Sequence, residues 1–453
     1  MNRIVAVIAC SCVSFTISRA AEPGNDAERY WPQWRGPQAT GVAPHADPPL
    51  EWSETKNVRW KVKIPGRGSA TPIIWGDRVY IQTAIETDKP APADQQAEAE
   101  PTERQGRRGR PRWGGGPKPT NLYKFCVMAL DRRTGKVVWE HTVCEALPHE
   151  GGHQYATYAS NSPVTDGRHF LAYFGSRGLY CFDMQGKLLW QKDFGNMRTR
   201  ASFGEGSSPT LYGNAIVVNW DHEGDSFIVA LDKQTGEQRW RVARDEITSW
   251  ATPIVVDPGS GPQVIASATK FIRGYDLASG EVIWKCGGMT NNVIPCPVFG
   301  HGLLYALSGF RGSALLAIRI DGARGDITGS ESIAWQHDKG TPYVPSPLLY
   351  GDTLYFLSGN KAILSCFDAK SGKEHYGRQR LEGLREVFAS PVGAHDHVYI
   401  AGREGTTLVL ARGPEFRVLA TNSLEERFDA SPAIVDNELY LRGHDYLYCI
   451  APD

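Results

Sequence analysis

The chain has 453 residues, with 49 lysines and arginines against 50 aspartates and glutamates, so its formal net charge is −1. This balanced charge predicts no broad electrostatic attraction to nucleic acid. The 48 glycines and 29 prolines, together with the scarcity of long helical periodicity, indicate an all-β chain that is rich in turns.

The first twenty residues have the pattern of an export signal. Arg3 precedes an apolar run from Ile4 to Ile17, and Ser18-Arg19-Ala20 supplies a small-x-small cleavage site. We therefore predict a signal peptide over residues 1–20. The mature protein is expected to be soluble, without a transmembrane segment, and periplasmic or secreted in a bacterial cell envelope. The residues that end at Cys10 resemble a lipobox, so lipidation of Cys10 stays open as an alternative.

Two further segments lie outside the regular repeats. Residues 21–50 form a Pro-rich N-terminal extension that contains the motif WPQWRGP, beginning at Trp31. Residues 86–120 are rich in Pro, Gly, Ala and Gln with almost no aliphatic side chains, which predicts a disordered insertion in the first repeat. The arginines between Arg104 and Arg112 would suit a phosphate or sulfate polymer, and a solvated loop without a partner is the competing interpretation.

A small residue followed by proline and a short apolar strand recurs eight times. The prolines are Pro72, Pro163, Pro209, Pro253, Pro297, Pro347, Pro391 and Pro432. Apart from the first interval, which holds the insertion, successive prolines are 41 to 50 residues apart, as in the blades of a propeller. We therefore predict an eight-bladed β-propeller over residues 51–453. A strand around Trp60 should complete the last blade, because an open ring would expose two unpaired edges.

A second pattern marks the outer strands. In five repeats an aspartate precedes a glycine, and an aromatic residue follows four positions after that glycine, as in Asp131, Gly135 and Trp139. This spacing predicts a hairpin turn between two strands. The tryptophans of the repeat are predicted to be core wedges between blades: Trp60, Trp139, Trp190, Trp240, Trp284 and Trp335.

Cysteines and catalytic motifs favour no particular chemistry. The seven cysteines beyond the leader are odd in number and include no C-x-x-C pair, so we interpret them as packing residues rather than a disulfide framework. No P-loop, dinucleotide fingerprint, G-x-S-x-G or H-E-x-x-H motif occurs. We therefore predict no metal site and name no catalytic residue.

The candidate site lies on one face of the propeller. When blades run from the axis outward, the loops between second and third strands share a face with the loops between blades. Their Arg, Asn, acidic and aromatic groups suit an anionic or polyhydroxylated ligand or a partner surface, and polar turns without any ligand are the competing interpretation. The candidate residues are Arg177, Asp221, His222, Glu223, Trp250, Lys270, Asn292, Arg311, Tyr343, Asn360, Arg385, Arg403, His444 and Asp445. The same loops also carry His153, Tyr155, Glu205 and Arg427.

The repeated A-x-D-x-x-T-G-x-x-x-W pattern, at Asp131, Asp183, Asp232, Asp276 and Asp368, resembles the repeat of pyrroloquinoline quinone (PQQ) propellers. That superfamily includes the quinoprotein alcohol dehydrogenases and the outer-membrane assembly factor BamB, which lacks the cofactor. The resemblance covers nearly all of the chain from Trp60 to Asp453 and implies the propeller fold. In the dehydrogenases it also implies PQQ with calcium beneath a vicinal disulfide. This chain has no Cys-Cys pair, and no residue matches the calcium ligands or the catalytic aspartate.

Two functions follow from the resemblance. The leading one is an exported, non-catalytic, BamB-like propeller without a cofactor. It would act as a binding or scaffold module for an envelope protein or a polysaccharide. The alternative is a PQQ-dependent alcohol or sugar dehydrogenase with calcium, the quinone in the axial funnel near Trp250, and Asp221, Glu223 or Asp445 as base.

Overall fold

A computed structural model describes residues 27–92 and 114–452, and these form eight antiparallel sheets arranged as the blades of a propeller. The predicted all-β, eight-bladed fold is confirmed. Blades 1 to 4 contain β2 (Ile73–Trp75), β3 (Arg78–Pro90), β4 (Asn121–Asp131) and β5 (Val137–Ala146); β6 (Val164–Thr165), β7 (His169–Tyr173), β8 (Leu179–Asp183) and β9 (Leu188–Lys192); β10 (Thr210–Tyr212), β11 (Ala215–Trp220), β12 (Phe227–Asp232) and β13 (Gln238–Ala243); and β14 (Ile254–Val256), β15 (Gln263–Ala266), β16 (Ile272–Asp276) and β17 (Val282–Cys286).

The other four blades follow the same order from the axis outward. They contain β18 (Val298–Gly300), β19 (Leu303–Ser308), β20 (Ala314–Arg319) and β22 (Ile333–His337); β23 (Leu348–Tyr350), β24 (Thr353–Leu357), β25 (Ile363–Asp368) and β26 (Glu374–Arg380); β27 (Val392–Ala394), β28 (His397–Ala401), β29 (Thr406–Ala411) and β30 (Val418–Ser423); and β31 (Ala433–Val435), β32 (Glu438–Arg442), β33 (Tyr446–Ile450) and β1 (Val58–Lys63). A short strand, β21 (Gly325–Asp326), pairs parallel with β17 and covers the outer edge of blade 4.

Helical structure in the described residues consists of three short 3-10 segments, Ala27–Arg29, Gly175–Arg177 and Arg200–Ser202. No helix in this part of the chain has the length and apolar character needed to cross a bilayer. The predicted signal peptide lies outside the described residues. The seven described cysteines form no disulfide, and six of them are buried.

The first strand closes the ring, as the sequence predicts. β1 pairs antiparallel with β33, and Trp60 lies opposite Cys449. Every blade therefore has four strands although the chain ends after the third strand of blade 8.

A ring of hydrogen bonds around the axis explains the small residue before each repeat proline. At six junctions the amide of this residue donates to the hydroxyl of its counterpart in the next blade, as from Ser162 to Ser208 Oγ (2.8 Å). At the other two junctions a thiol or hydroxyl donates to a backbone carbonyl instead. Cys296 Sγ donates to Thr252 O (3.1 Å), and Thr71 Oγ1 donates to Ser431 O (3.1 Å). The eight links close the circle.

The repeat tryptophans lie at the junctions between blades. In five cases the indole packs on the turn glycine of the following blade, as Trp240 does on Gly280. The Trp240 Nε1–H also donates to Leu277 O in that blade (2.9 Å). Trp284 differs because blade 5 has no such turn, and its indole donates to Gln263 within blade 4 (2.9 Å). The hydrophobic core accordingly forms layers between neighbouring blades, such as the cluster shared by blades 3 and 4.

The N-terminal extension is built into the propeller on the face opposite the candidate site. Trp31 is fully buried and exchanges backbone hydrogen bonds with Ile74 in the inner strand of blade 1. The buried Arg35 guanidinium donates to Pro391 O (2.9 Å) and Pro347 O (2.8 Å), the carbonyls of two repeat prolines. Burial lowers the pKa of Arg35 to about 10. The motif that begins at Trp31 thus lies across the propeller axis on the face opposite the candidate site.

Both ends of the stretch predicted as a disordered insertion, residues 86–120, have defined structure. Residues 86–90 continue β3, with Glu86 opposite Tyr123 and Pro90 opposite Asn121 in β4. Backbone pairing extends this hairpin although the side chains are mostly polar and exposed. Residues 114–120 are described as well, and Gly115 N donates to Ala201 O (2.7 Å) in the loop after blade 2. The remaining stretch, which includes the arginines from Arg104 to Arg112, lies outside the described residues.

We expect Trp240→Ala to destabilise the protein by about 3 to 5 kcal/mol, because it leaves a cavity between blades 3 and 4. Denaturant unfolding of the variant and of wild type measures this difference. Trp240→Phe is the control: it keeps part of the ring volume and loses the bond to Leu277 O, so its cost should be smaller. An unchanged unfolding midpoint for Trp240→Ala would contradict the wedge role.

Gly280→Ala should cost more stability than Gly302→Ala. Both glycines have left-handed backbones, with φ of +77° and +72°, so both variants carry the same conformational penalty of about 1 kcal/mol. A Cβ at Gly280 would also lie 2.6 Å from Trp240 Cδ2, whereas nothing lies within 4 Å of one at Gly302. We expect Gly280→Ala to lose about 1 to 3 kcal/mol more, measured by denaturant unfolding. Equal losses would show that the indole contact is unimportant.

Candidate functional site

A cavity of about 240 Å³ lies on the propeller axis and opens on the face that carries the candidate loops. Hydroxyls of the axial ring, among them Ser162 and Ser431, line its floor together with Trp34 of the N-terminal extension. The Trp34 Nε1–H lies 3.4 Å from Ser431 Oγ. We call this cavity the axial funnel. Six Trp, Tyr and Phe side chains form an aromatic wall in its lining: Trp34, Tyr155, Phe203, Trp250, Tyr343 and Phe388.

The aromatic wall is held in place by contacts within the protein. The Trp250 Nε1–H donates to Gly204 O (2.7 Å). Tyr343 stacks on Phe310 with ring centroids 4.8 Å apart. Asn360 is also part of the lining, and its Oδ1 accepts from Val344 N (3.0 Å). Of the fourteen candidate residues, Trp250, Tyr343 and Asn360 line the funnel.

Arg403 and His444 form a polar group at the side of the funnel through Asp429. Arg403 Nε donates to one Asp429 oxygen (2.7 Å), and His444 Nε2 lies 2.8 Å from the other. The Arg403 guanidinium also lies 3.5 Å from the centre of the Tyr155 ring, a cation–π contact. Although burial opposes ionisation, the bonds to His444 and Arg403 hold the pKa of Asp429 below its usual value. This acid is therefore ionised and paired.

The adjacent candidates Asp221, His222 and Glu223 point to separate internal partners. Asp221 forms a fully buried ion pair with Arg244 (2.7 Å) and accepts from the hydroxyl of Ser249 (2.6 Å). His222 Nδ1 accepts from the backbone of Arg198 (3.1 Å), and Glu223 accepts from the hydroxyl of Thr248 (2.9 Å). None of the three lines the axial funnel. Within the described chain, no three His, Cys, Asp or Glu side chains meet in a metal-binding cluster.

The remaining candidates are spread over the loop face. Arg177 donates to Leu147 O (2.9 Å), and Lys270 lies 3.5 Å from Asp245. The guanidinium of Arg311 lies 5.3 Å from the centre of the Phe310 ring. Asn292 is buried with a left-handed backbone (φ 53°). Arg385 and Asp445 are exposed.

An acidic cluster adjoins the funnel on the blade 2 side. The Glu205 side chain is 13% exposed, and its carboxyl accepts from the Ser176 amide (2.7 Å) and hydroxyl (2.5 Å). Burial raises the pKa of Glu205 to about 7, and burial likewise raises the pKa of Glu150, bonded to Thr199, to about 7. Burial lowers the pKa of His149, 3.6 Å from Glu205, to about 4. The cluster favours its uncharged form at mildly acidic pH.

Sequence reasoning missed several residues of the funnel. Phe203, Phe388 and Asp429 belong to the loops between blades, where the proline motif alone gives no sign of which side chain faces the axis. Trp34 comes from a segment outside the repeats, and its signal was the tryptophan-rich motif that begins at Trp31. The axial serines were recognised only as markers of the repeat.

We expect Glu205→Gln to change the pH dependence of stability. A carboxyl with a raised folded-state pKa stabilises the fold fully below its unfolded value of 4.5, and this contribution is lost as pH rises through about 7. The free energy of unfolding of the variant should therefore rise relative to that of wild type, by up to about 3 kcal/mol between pH 5 and pH 8. Melting temperatures of both proteins measured across this pH range report the difference. Glu404→Gln, at an exposed site, is the control and should give a flat difference. A flat difference for Glu205→Gln would contradict the raised pKa.

Comparison with known proteins places the chain in a family. A sequence model of the family described as Outer membrane protein assembly factor BamB matches residues 124–376. Curated relatives of that name are 21% identical over 355 residues in Yersinia pestis, covering 74% of this chain and 81% of that protein, and 28% identical over 98 residues in Francisella salina, covering 22% of this chain and 17% of that protein.

A solved structure shares the fold. The crystal structure of BamB from Moraxella catarrhalis matches with a TM-score of 0.52 at 13% identity, over 81% of this chain and 98% of that one. The residues matched by the family's sequence model make up more than half of this chain, from blade 1 to blade 6. The chain therefore belongs to the family described as outer membrane protein assembly factor BamB.

Proposed function

We propose that this protein is an exported, non-catalytic propeller that acts as a binding or scaffold module in the cell envelope, with the face around the axial funnel as its binding face. The observation that carries the proposal is the state of the groups around the funnel. The aromatic wall is fixed in position, and its acids are engaged inside the protein: Asp429 by Arg403 and His444, and Glu205 by Ser176.

Such a surface suits recognition. A rigid aromatic wall loses little conformational entropy when a partner binds, and each aromatic ring can bury a large apolar area against that partner. Acids whose oxygens already accept hydrogen bonds are poorly placed to take a proton from a substrate hydroxyl, which general base catalysis requires.

The residues around the funnel do not fit PQQ with calcium. PQQ is a tricarboxylate, and the described lining of the funnel holds no lysine or arginine to balance it, only the carboxyl groups of Glu205 and Asp429. The oxygens of both carboxyl groups accept hydrogen bonds from protein groups, and the described residues bring no three His, Cys, Asp or Glu side chains together here as calcium ligands. None of the bases named for a dehydrogenase lines the axial funnel, and Asp221 is held in its buried ion pair with Arg244.

The relatives suggest the class of partner. Their names describe factors in the assembly of outer membrane proteins. For this chain we infer a partner of the same compartment, an envelope protein or a polysaccharide, reached after cleavage of the signal predicted over residues 1–20.

Photo-crosslinking in the producing cells tests the proposal. We expect p-benzoylphenylalanine in place of Tyr343 or Phe388, at the funnel, to form adducts with an envelope component. The matched control replaces Tyr212, which is 40% exposed at the end of an inner strand, on the opposite face. It should give several-fold less adduct. Equal adducts from both faces, or none from the funnel, would contradict the assigned binding face.

A titration with PQQ and calcium tests the non-catalytic part. Tryptophan quenching reports binding, and dye reduction with a panel of alcohols and sugars reports turnover. We expect neither to saturate. Saturable binding accompanied by turnover would overturn the proposal in favour of a dehydrogenase.

A further inference from the structure

We propose that a second cavity, between blades 8 and 1 beside the axial funnel, binds the sulfate or phosphate group of a ligand whose uncharged ring occupies the funnel. Arg67 and Arg427 would hold the oxyanion. The inference deepens the proposed function and rests on it, because it takes the funnel face as the binding face.

The cavity has a volume of about 380 Å³, and three arginines line it against one aspartate. The charges are not equivalent. Arg403 forms ion pairs with Asp429 and Glu386. Arg67 and Arg427 are exposed, and among the described residues neither guanidinium forms a salt bridge or a hydrogen bond. Two guanidinium groups on one cavity repel each other until an anion lies between them.

A buried arginine behind the cavity strengthens the positive field. Arg442 is 2% exposed, and its two terminal nitrogens have no hydrogen-bond partner within the described chain. Burial lowers the pKa of Arg442 to about 10, and the positive charge of Arg67 acts in the same direction. Glu426 and Asp445 oppose this effect. The fork of N–H donors on a guanidinium group matches the oxygens of sulfate and phosphate, so arginines without salt bridges at one cavity favour the binding of an oxyanion.

The second cavity, which we call the anion cavity, shares a wall with the axial funnel. Ser69, Tyr155, Ala156 and Asp429 line both. A ligand can therefore place a ring against the aromatic side chains and a charged substituent beside Arg67. A ring bearing hydroxyls also finds partners in Ser69 and Ser160 at the funnel. Together these features favour a sugar ester, that is, a ring carrying one sulfate or phosphate, over the bare ion.

Calorimetric titration of the mature protein with lactose 3′-sulfate, lactose and inorganic sulfate tests this assignment. We expect the sulfated disaccharide to bind about tenfold or more tightly than either of the others. Arg67→Gln and Arg427→Gln should each weaken it about tenfold and leave lactose unchanged. Both side chains are exposed, so the variants should fold, which melting curves confirm. Arg168→Gln is the control: an exposed arginine in the turn between β6 and β7 that lines neither cavity.

The outcomes separate the possibilities. Equal affinity for lactose and its sulfate, or no binding of any of the three compounds, would overturn the inference. Equal affinity for inorganic sulfate and the sulfated sugar would overturn the ester and assign the cavity to the free ion. A loss of affinity in Arg168→Gln as large as in Arg67→Gln would overturn the assignment, because it would show that the effect comes from general surface charge. If the funnel positions form crosslinks but Arg67→Gln and Arg427→Gln leave the affinity for the sulfated disaccharide unchanged, this inference is wrong and the proposed function stands. If the sulfated disaccharide binds but the funnel positions form no crosslinks, the proposed partner role is wrong and the anion site stands.

Discussion

The closed ring of hydrogen bonds around the axis is the constraint on which the rest of the structure depends. Each inner strand is preceded by a small residue whose amide or side chain bonds to a neighbouring blade, from Thr71 through Ser431 and back. A larger side chain at any of these positions would hold neighbouring inner strands apart. The ring also forms the floor of the axial funnel, so the same residues that keep the blades together define the depth of the site.

The outer part of each junction is coupled by the repeat motif itself. An aspartate, a glycine and a tryptophan appear local to one hairpin in the sequence, yet the tryptophan belongs structurally to the glycine of the next blade. One motif thus sets both the turn within a blade and the distance to its neighbour. Blade 8 obtains its tryptophan, Trp60, from the start of the chain, and that indole donates to Arg132 O in blade 1 (2.9 Å). Pairing of β1 with β33 therefore completes the core junction as well as the sheet.

The fold was predictable because its signals repeat, whereas the site was not. The proline marker and the aspartate-glycine turn depend on local backbone preferences, so the eight copies of the first and the five copies of the second reinforce one another. The roles of loop residues depend on contacts between positions far apart in sequence. Asp221 resembles a funnel acid until Arg244 is seen to neutralise it, and Asp429 draws attention only once Arg403 and His444 meet on it. The motif that begins at Trp31 marks Trp34 in the sequence, but only the folded extension brings this side chain to Ser431.

Partners inside the protein therefore distinguish structural from functional charge on this face. A propeller needs polar residues at every loop tip, and most of those here are satisfied internally, with burial deciding the protonation state of Glu205 and Glu150. A charge that is already paired, such as Arg403, holds the side chains around the funnel in place and has few free N–H donors for a ligand. Charges that remain without a salt bridge inside the fold, as at Arg67 and Arg427, reduce stability by mutual repulsion, and an anionic ligand removes that cost. The distribution of unpaired charge, more than its total, locates the part of the binding face where a partner gains most.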